Sequence, residues 1–446
     1  MRIGRRSLLL GGAALLAGCA AARRAGSDAA AGDFVLRDGL GFRLAGRPYR
    51  FVGTNMWYAP WLGADAPFGN RDRLRRELDA LAALGVSNVR INASAELSPL
   101  RNSVRPAFRD RGENYDETLL GGLDFALTEL GRRRMKAVLY LTNFWEWSGG
   151  MMTYLHWVNG GRYIDMNDPA HPWPAFPDMA AGFYASAEAV ALYHHYVSAV
   201  VSRRNRVTGG LYADDPAIMS WQLANEPRPG GSEAVGRRNL PAYFAWIRET
   251  ARLIRGLDPN HLVSTGSEGL KGCIESEACV RDAHAPPGID YVTAHIWPQN
   301  WGWVDPRRIE PDFPRAAALT RDYLDRHAAL AASLGKPLVI EEFGFPRDGG
   351  AFDPAAATSF RDRFYRIVYD AVATSADRGG PIAGSNFWAW NGEGRAAHGD
   401  RRFRSGDTVW LGDPPHEPQG WYGVFDGDAS TKALVRAHAE ALAAVP

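Results

Sequence analysis

Cysteine is scarce in this sequence, histidine is modest, and neither sign of charge prevails. Three cysteines in 446 residues are too few for a disulfide-built fold. None of the 11 histidines falls in an HxH or HExxH pattern, so the spacing that aims two imidazoles at one zinc ion is missing. No metal and no other cofactor is expected. Lys plus Arg number 51 against 50 for Asp plus Glu, a net charge of +1. That balance lacks the basic footprint of a nucleic-acid binder. No apolar run approaches the ~20 residues of a membrane-spanning helix. What is present is 46% hydrophobic and 23% charged residues, ordinary for a folded chain with a large core. Aromatics are abundant, with 15 Trp, 16 Tyr and 19 Phe. Stacking on sugar faces is one use for so many flat rings, and core packing is the other.

The first residues, MRIGRRSLLLGGAALLAGCAAARR, form an address label. Arg2, Arg5 and Arg6 supply a charged start, and the apolar stretch from Leu8 to Ala17 has 10 residues, which suits a signal peptide and not a bilayer span. Arg5-Arg6 before a leucine run is similar to a twin-arginine export signal, although an ordinary signal carries arginines too. Leu16-Ala17-Gly18-Cys19 is similar to a bacterial lipobox, with Cys19 as the lipidated residue. Residues 1–18 therefore read as a signal peptide and 19–33 as a tether. Removing residues 1–18 takes three arginines and leaves a net charge of −2. The expected location is periplasmic or cell-surface as a lipoprotein, or secreted. Membrane contact is expected through the lipid alone, and a monomer is expected. Cys273 and Cys279, six positions apart, could form a disulfide after export or stay as two thiols.

From Phe34 to Tyr49 the glycine-punctuated sequence reads as a hairpin. Beyond it, β-branched and apolar runs occur at 51–56, 88–92, 136–142, 218–223, 262–265, 291–295, 338–342 and 385–388. Helical patterns at 71–84, 187–203, 243–255, 315–334 and 360–374 lie between them, and one at 431–444 follows. The helices after the second and fifth strands are weakly marked. Eight strands alternating with helices predict a parallel (β/α)8 barrel of class α/β, one catalytic domain over 34–446. In such a barrel the loops after the strands build the active site. Thirteen of the 15 tryptophans fall at or after a strand end, all but Trp221 and Trp246, which favours a sugar-lined cleft over a purely packing role.

Two segments end strands on glutamate. Ile218-Met-Ser-Trp-Gln-Leu-Ala-Asn-Glu-Pro227 closes strand four, and Lys336-Pro-Leu-Val-Ile-Glu-Glu-Phe-Gly344 closes strand seven. Glu226 and Glu342 are 116 residues apart, three βα units. Glycoside hydrolysis needs two carboxylic acids flanking one bond, in environments that keep one protonated and the other ionised. NEP, EFG and the segments HIWPQNWGW, NFWAWNGEGR and DPPHEPQGWYGVFD resemble glycoside hydrolase family 5 of clan A, in its bacterial endo-β-1,4-mannanase branch. The resemblance covers the chain from about Phe34.

That resemblance implies Glu226 as acid/base and Glu342 as nucleophile of a retaining enzyme acting on mannan, glucomannan or galactomannan. It implies Asn225 as a partner of the 2-hydroxyl and Arg90 beside the nucleophile, where a guanidinium favours an ionised carboxylate. His295 would line the same centre, Trp388 the floor under the sugar, and Trp145 a platform for a neighbouring sugar. The family usually carries tyrosine two positions after the histidine; here Trp297 stands there, and its N–H can only donate. Side chains alternate along a strand, so only one of Glu341 and Glu342 is expected to face the cleft, and the EFG pattern selects Glu342. His194 and His195 read as packing or surface residues, and Glu268 and Glu393 as solvated loop residues. The rival readings are a related β-glucanase, an exo-acting β-mannosidase or β-glucosidase, and a non-catalytic glycan-binding lipoprotein.

Overall fold

The computed structural model describes residues 33–112 and 114–445. The signal peptide, Cys19 and nearly all of the tether lie outside the described residues.

The chain begins with β1 (Leu36–Asp38), β2 (Gly41–Leu44) and β3 (Arg47–Tyr49). They pair antiparallel in the order β1-β2-β3, one strand more than the expected hairpin. Eight parallel strands follow: β4 (Phe51–Asn55), β5 (Asn88–Asn92), β6 (Lys136–Tyr140), β7 (Ile218–Gln222), β8 (Leu262–Ser264), β9 (Val292–Ile296), β10 (Leu338–Phe343) and β11 (Ile382–Phe387). Every residue of these strands is buried. Side chains fill the barrel inside and helices cover it outside, so the strands are buried on both faces instead of one.

The ladder runs β8-β7-β6-β5-β4-β11-β10-β9. The seam between β8 and β9 is closed by other hydrogen bonds. Asp290 N–H donates to Val263 O at 2.8 Å and His295 N–H to Glu268 O at 3.1 Å, and the Thr293 hydroxyl donates to Ser267 O at 2.7 Å. The fold is the expected (β/α)8 barrel.

The outer helices are α1 (Ala59–Gly63), α2 (Arg71–Ala83), α3 (Glu117–Arg132), α4 (Gly150–Val158), α5 (Ala175–Ala180), α6 (Ala187–Val201), α7 (Glu233–Leu257), α8 (Glu277–His284), α9 (Ile309–Leu334), α10 (Ser359–Asp377) and α11 (Ala429–Ala444). Side-chain caps begin several of them: Asn70 accepts from Arg73 N–H, and Asp116 from Thr118 N–H and Leu119 N–H. Such caps satisfy amides that have no partner inside the helix. The helix after the second strand, α3, is fully formed despite its weak signal. Its Gly122 lies against α1 so closely that a Cβ would meet Pro60 O at 2.0 Å. α7 and α9 start earlier than their patterns suggest, and each includes a proline, Pro241 and Pro314.

At the lower end of the barrel, Val35, Phe42 and Tyr49 form one buried cluster with Phe51, Val138, Met219, Leu262, Tyr291 and Val339. The first antiparallel sheet thus plugs the end opposite the loops that follow the strands. Cys273 and Cys279 are joined as a disulfide, Cα to Cα 5.7 Å, which ties the turn before α8 to the first turn of that helix. His194 packs between helices, its Nε2 2.9 Å from the Thr250 hydroxyl.

Candidate active site

Arg90, on β5, organises the upper barrel interior. Its guanidinium is fully buried and donates to Glu342 Oε1 at 2.5 Å, Gln222 Oε1 at 2.7 Å, Asn225 Oδ1 at 2.8 Å and Asn55 Oδ1 at 3.1 Å. Its carbon lies 4.7 Å from the centre of the Tyr140 ring. Burial works against the cation, but the carboxylates of Glu342 and Glu341 outweigh it and hold the Arg90 pKa above its usual value.

Glu226 and Glu342 meet at the mouth. His295 Nδ1 lies 2.6 Å from Glu226 Oε1 and 3.2 Å from Glu342 Oε2. A carboxylate oxygen from each glutamate and a nitrogen of His295 all fall within 4.8 Å of one another. That spacing fits the ~5 Å of retaining glycosidases and not the wider gap that admits a water. Burial disfavours the His295 imidazolium, yet Glu342, Glu226 and Glu341 around it overcome that and hold its pKa well above 6.5.

Glu226 adopts φ +52°, a left-handed conformation that costs an ordinary residue about 1–2 kcal/mol. It also precedes Pro227, which restricts it further. Its N–H donates to Gly266 O at 2.9 Å. Gly266 has φ +74°, and a Cβ there would meet Ala224 O at 1.9 Å, so glycine is required for this approach. Glu226→Gly is therefore expected to be about 1 kcal/mol more stable to denaturant than Glu226→Ala. Equal midpoints for the two variants would contradict a strained backbone.

Glu341 stays out of the cleft as expected, but alternation alone does not describe its place. The pairing of β10 with β9 shifts register between Ile340 and Glu342, so simple alternation fails, as it does at a bulge. Glu341 does not point outside the barrel. It is buried, with Oε2 3.9 Å from Arg90 Nε and 3.8 Å from His295 Nε2, and it accepts from Gln222. Glu342 lines the cavity at the mouth and Glu341 does not.

The cavity is about 300 Å³. Asn225, Trp145, Trp297 and Trp388 line it with the two glutamates, as the sequence leads one to expect. Asn225 also donates to Asn143 Oδ1 at 3.1 Å. Trp297 packs on Trp388 and Tyr422, centroids 5.8 and 4.9 Å apart. The structure gives it no hydrogen bond to Glu342; Arg90 donates to that carboxyl, and His295 Nδ1 lies 3.2 Å from it. Trp145 does more than offer a face: its N–H donates to Glu226 Oε2 at 2.5 Å. Trp57, Trp61 and Trp410 belong to a buried ring cluster, so for them packing is the role.

Several wall residues escaped sequence reasoning. Glu268 is buried and not solvated, because Arg228 donates to both its oxygens at 2.5 and 2.7 Å. Burial raises its pKa, Arg228 opposes this, and Glu226 adds to it. Their signal was position, after β8 and two residues past Glu226. Glu393 is part-exposed, paired with Arg76. Trp173, 60% exposed, stands at the rim. Across from these, the 414–417 loop reaches the loop after β6, with His416 Nδ1 3.3 Å from Glu146 and Nε2 3.7 Å from Glu417. Burial opposes the His416 cation, but Glu146 and Glu417 push its pKa up to about 10. Burial pushes the Glu417 carboxyl up to about 7, against the pull of His416.

Both shifts act in the same direction on stability. A histidine raised in the fold stabilises below its unfolded value near 6.5 and loses that contribution as pH climbs toward 10. A carboxyl raised in the fold loses stability as pH climbs from about 4.5 to 7. The melting temperature is thus expected to fall between pH 6.5 and 10, and His416→Gln should flatten the decline. Parallel curves for variant and wild type would refute this.

Residues 32–446 match the family described as GH family 5 beta-mannosidase-like. A family 5 mannosidase from Rhizomucor miehei superposes with a TM-score of 0.84 at 35% identity, covering 93% of this chain and 99% of that one. Mannan endo-1,4-beta-mannosidase 7 of Arabidopsis thaliana is 31% identical over 379 residues, 81% of this chain and 79% of its own length. Mannan endo-1,4-beta-mannosidase 1 of Oryza sativa subsp. japonica is 30% identical over 399 residues, 86% of this chain and 83% of its own length. A buried pair of glutamates at the ends of β7 and β10, a tryptophan-walled cavity and these likenesses agree: the chain belongs to glycoside hydrolase family 5, in its β-mannosidase-like group.

Proposed function

We propose that this protein hydrolyses β-1,4-mannosidic bonds in mannan, glucomannan or galactomannan with retention of configuration. The observation that carries the reading is the convergence of Glu226, Glu342 and His295 within 4.8 Å at the barrel mouth. Glu342 attacks the anomeric carbon while Glu226 protonates the departing oxygen, giving a glycosyl-enzyme ester. Glu226 then takes a proton from water, which displaces Glu342. Arg90 and His295 hold positive charge against Glu342. Asn225, fixed by Arg90 and Asn143, presents its remaining amide hydrogen toward the cavity for a sugar hydroxyl. Trp388 serves as the floor.

Product analysis on mannan, glucomannan, cellulose and xylan tests the substrate, with NMR of the first-formed anomer testing retention. Internal cleavage gives a ladder of oligosaccharides. A second reading, removal of single sugars from chain ends, is favoured by the contact of the 414–417 loop with Glu146, which walls one side of the cavity. It would release mannose alone from the start. No hydrolysis of any β-mannoside would defeat both readings.

We also propose export and lipid anchoring through Cys19. The lipobox-like LAGC sequence after an apolar stretch supports this. Cys19→Ser should leave the protein off the membrane or uncleaved; unchanged membrane association would defeat the proposal.

A further inference from the structure

Among the described residues, Trp145 is the one group that joins the cavity wall to the reacting carboxyl pair through a donor unable to accept. Its ring is 9% exposed and tightly held. The Arg228 guanidinium carbon lies 4.9 Å from its centroid. Phe176 stacks at 6.2 Å and 13°, and Phe144 meets it edge-on at 5.3 Å. Its backbone N–H donates to Asn143 Oδ1 at 3.1 Å. The indole N–H is thereby aimed at Glu226 Oε2, while His295 Nδ1 occupies Oε1.

We infer that Trp145 is a positioning residue for proton transfer: its N–H holds the Glu226 carboxyl through Oε2 and stabilises the carboxylate that forms when the proton leaves. The inference rests on Glu226 being the acid/base of the proposed hydrolysis. An indole N–H donates and never accepts, so it favours the carboxylate form of Glu226 over the acid. In the first step the C1–O bond breaks and its electron pair stays on the departing oxygen. That oxygen takes the proton from Glu226, and the O–H pair remains on Glu226 as carboxylate charge. Glu342 forms the new bond to C1. A hydrogen bond to a developing carboxylate strengthens as the charge grows, so the indole makes Glu226 a better acid. In the second step water gives its proton to Glu226, its oxygen bonds C1, and the ester pair returns to Glu342.

Trp145→Phe keeps a flat ring and deletes the N–H. Hydrogen bonds to charged groups contribute about 1.5–3 kcal/mol, which is roughly 10- to 150-fold in rate. The kcat/KM for mannotriose, whose leaving group needs protonation, is expected to fall by that range. For 2,4-dinitrophenyl β-mannoside, whose leaving group needs almost none, it should change less than about threefold. A plot of log kcat/KM against leaving-group pKa should be steeper for the variant, and its basic limb on mannotriose should move to higher pH. The charged and titratable groups around Glu226 are His295, Glu342, Arg90, Tyr140, Arg228 and Glu268, and Trp145→Phe leaves all of them in place. The contrast between leaving groups does not depend on the fraction of variant that folds. Equal losses on both substrates, as a pure sugar platform would give, or no loss on either, overturns the inference. Wild-type enzyme that cleaves neither substrate would instead defeat the proposed hydrolysis.

Discussion

Glu342→Ala is expected to lose on the order of 10⁵-fold in turnover on both mannan and an activated aryl β-mannoside, the scale seen when a covalent nucleophile is removed. Glu226→Ala should behave differently. It should lose most activity on mannan, where the leaving oxygen needs a proton, yet still form the glycosyl-enzyme from the aryl substrate. Azide separates the two by stereochemistry. In Glu226→Ala it attacks the α-linked ester from the opposite face and gives a β-mannosyl azide. In Glu342→Ala it enters the space left by the carboxylate, attacks the substrate directly and gives the α-azide. The closeness of both carboxyls around one imidazole makes either entry possible. A β-azide from Glu342→Ala would misplace the nucleophile. So would normal turnover in that variant together with a dead Glu341→Ala.

Arg90→Met should have the largest effect on stability. The guanidinium serves four acceptors and sits beside two buried carboxylates. Removing one partner from a buried ionic cluster costs about 3–5 kcal/mol, because the other charges remain without compensation. Denaturant unfolding at pH 7 should show a loss of that size, with activity lost as well. The deficit should shrink as pH is lowered, since protonation neutralises the stranded acids. Arg90→Lys keeps the charge but not the fork and should fall between. An Arg90→Met protein as stable as wild type would mean that the cluster is not held by this cation.

The barrel was legible because its strands, buried on both faces, are short stretches rich in apolar and β-branched residues set between helical patterns. The catalytic pair was legible for a related reason: both glutamates end such runs. Elsewhere the information was not local. The glycines of α3 lower helix propensity, and for Gly122 the reason is the backbone of α1 pressed against it. Pro241 and Pro314 hid the first turns of two long helices in the same way, since proline is a poor helix signal. Glu268 looked like a solvated loop residue because its partner, Arg228, is 40 positions away. The alternation rule failed at Glu341 because a register shift depends on the neighbouring strand. The aim of the Trp145 N–H depends on the rings of Phe144 and Phe176 and the guanidinium of Arg228, and no spacing rule contains it.

The small antiparallel sheet beneath the barrel gives the molecule a polarity. The chain enters at that pole, where Asp33 O accepts from Lys136 at the start of β6, and the sugar cavity opens at the other. With Cys19 anchored as we propose, the attachment would join the described chain at Asp33, at the pole opposite the cavity. The enzyme would hang from its membrane with the cleft turned outward, so a polymer far too bulky to slip between protein and lipid could still be engaged.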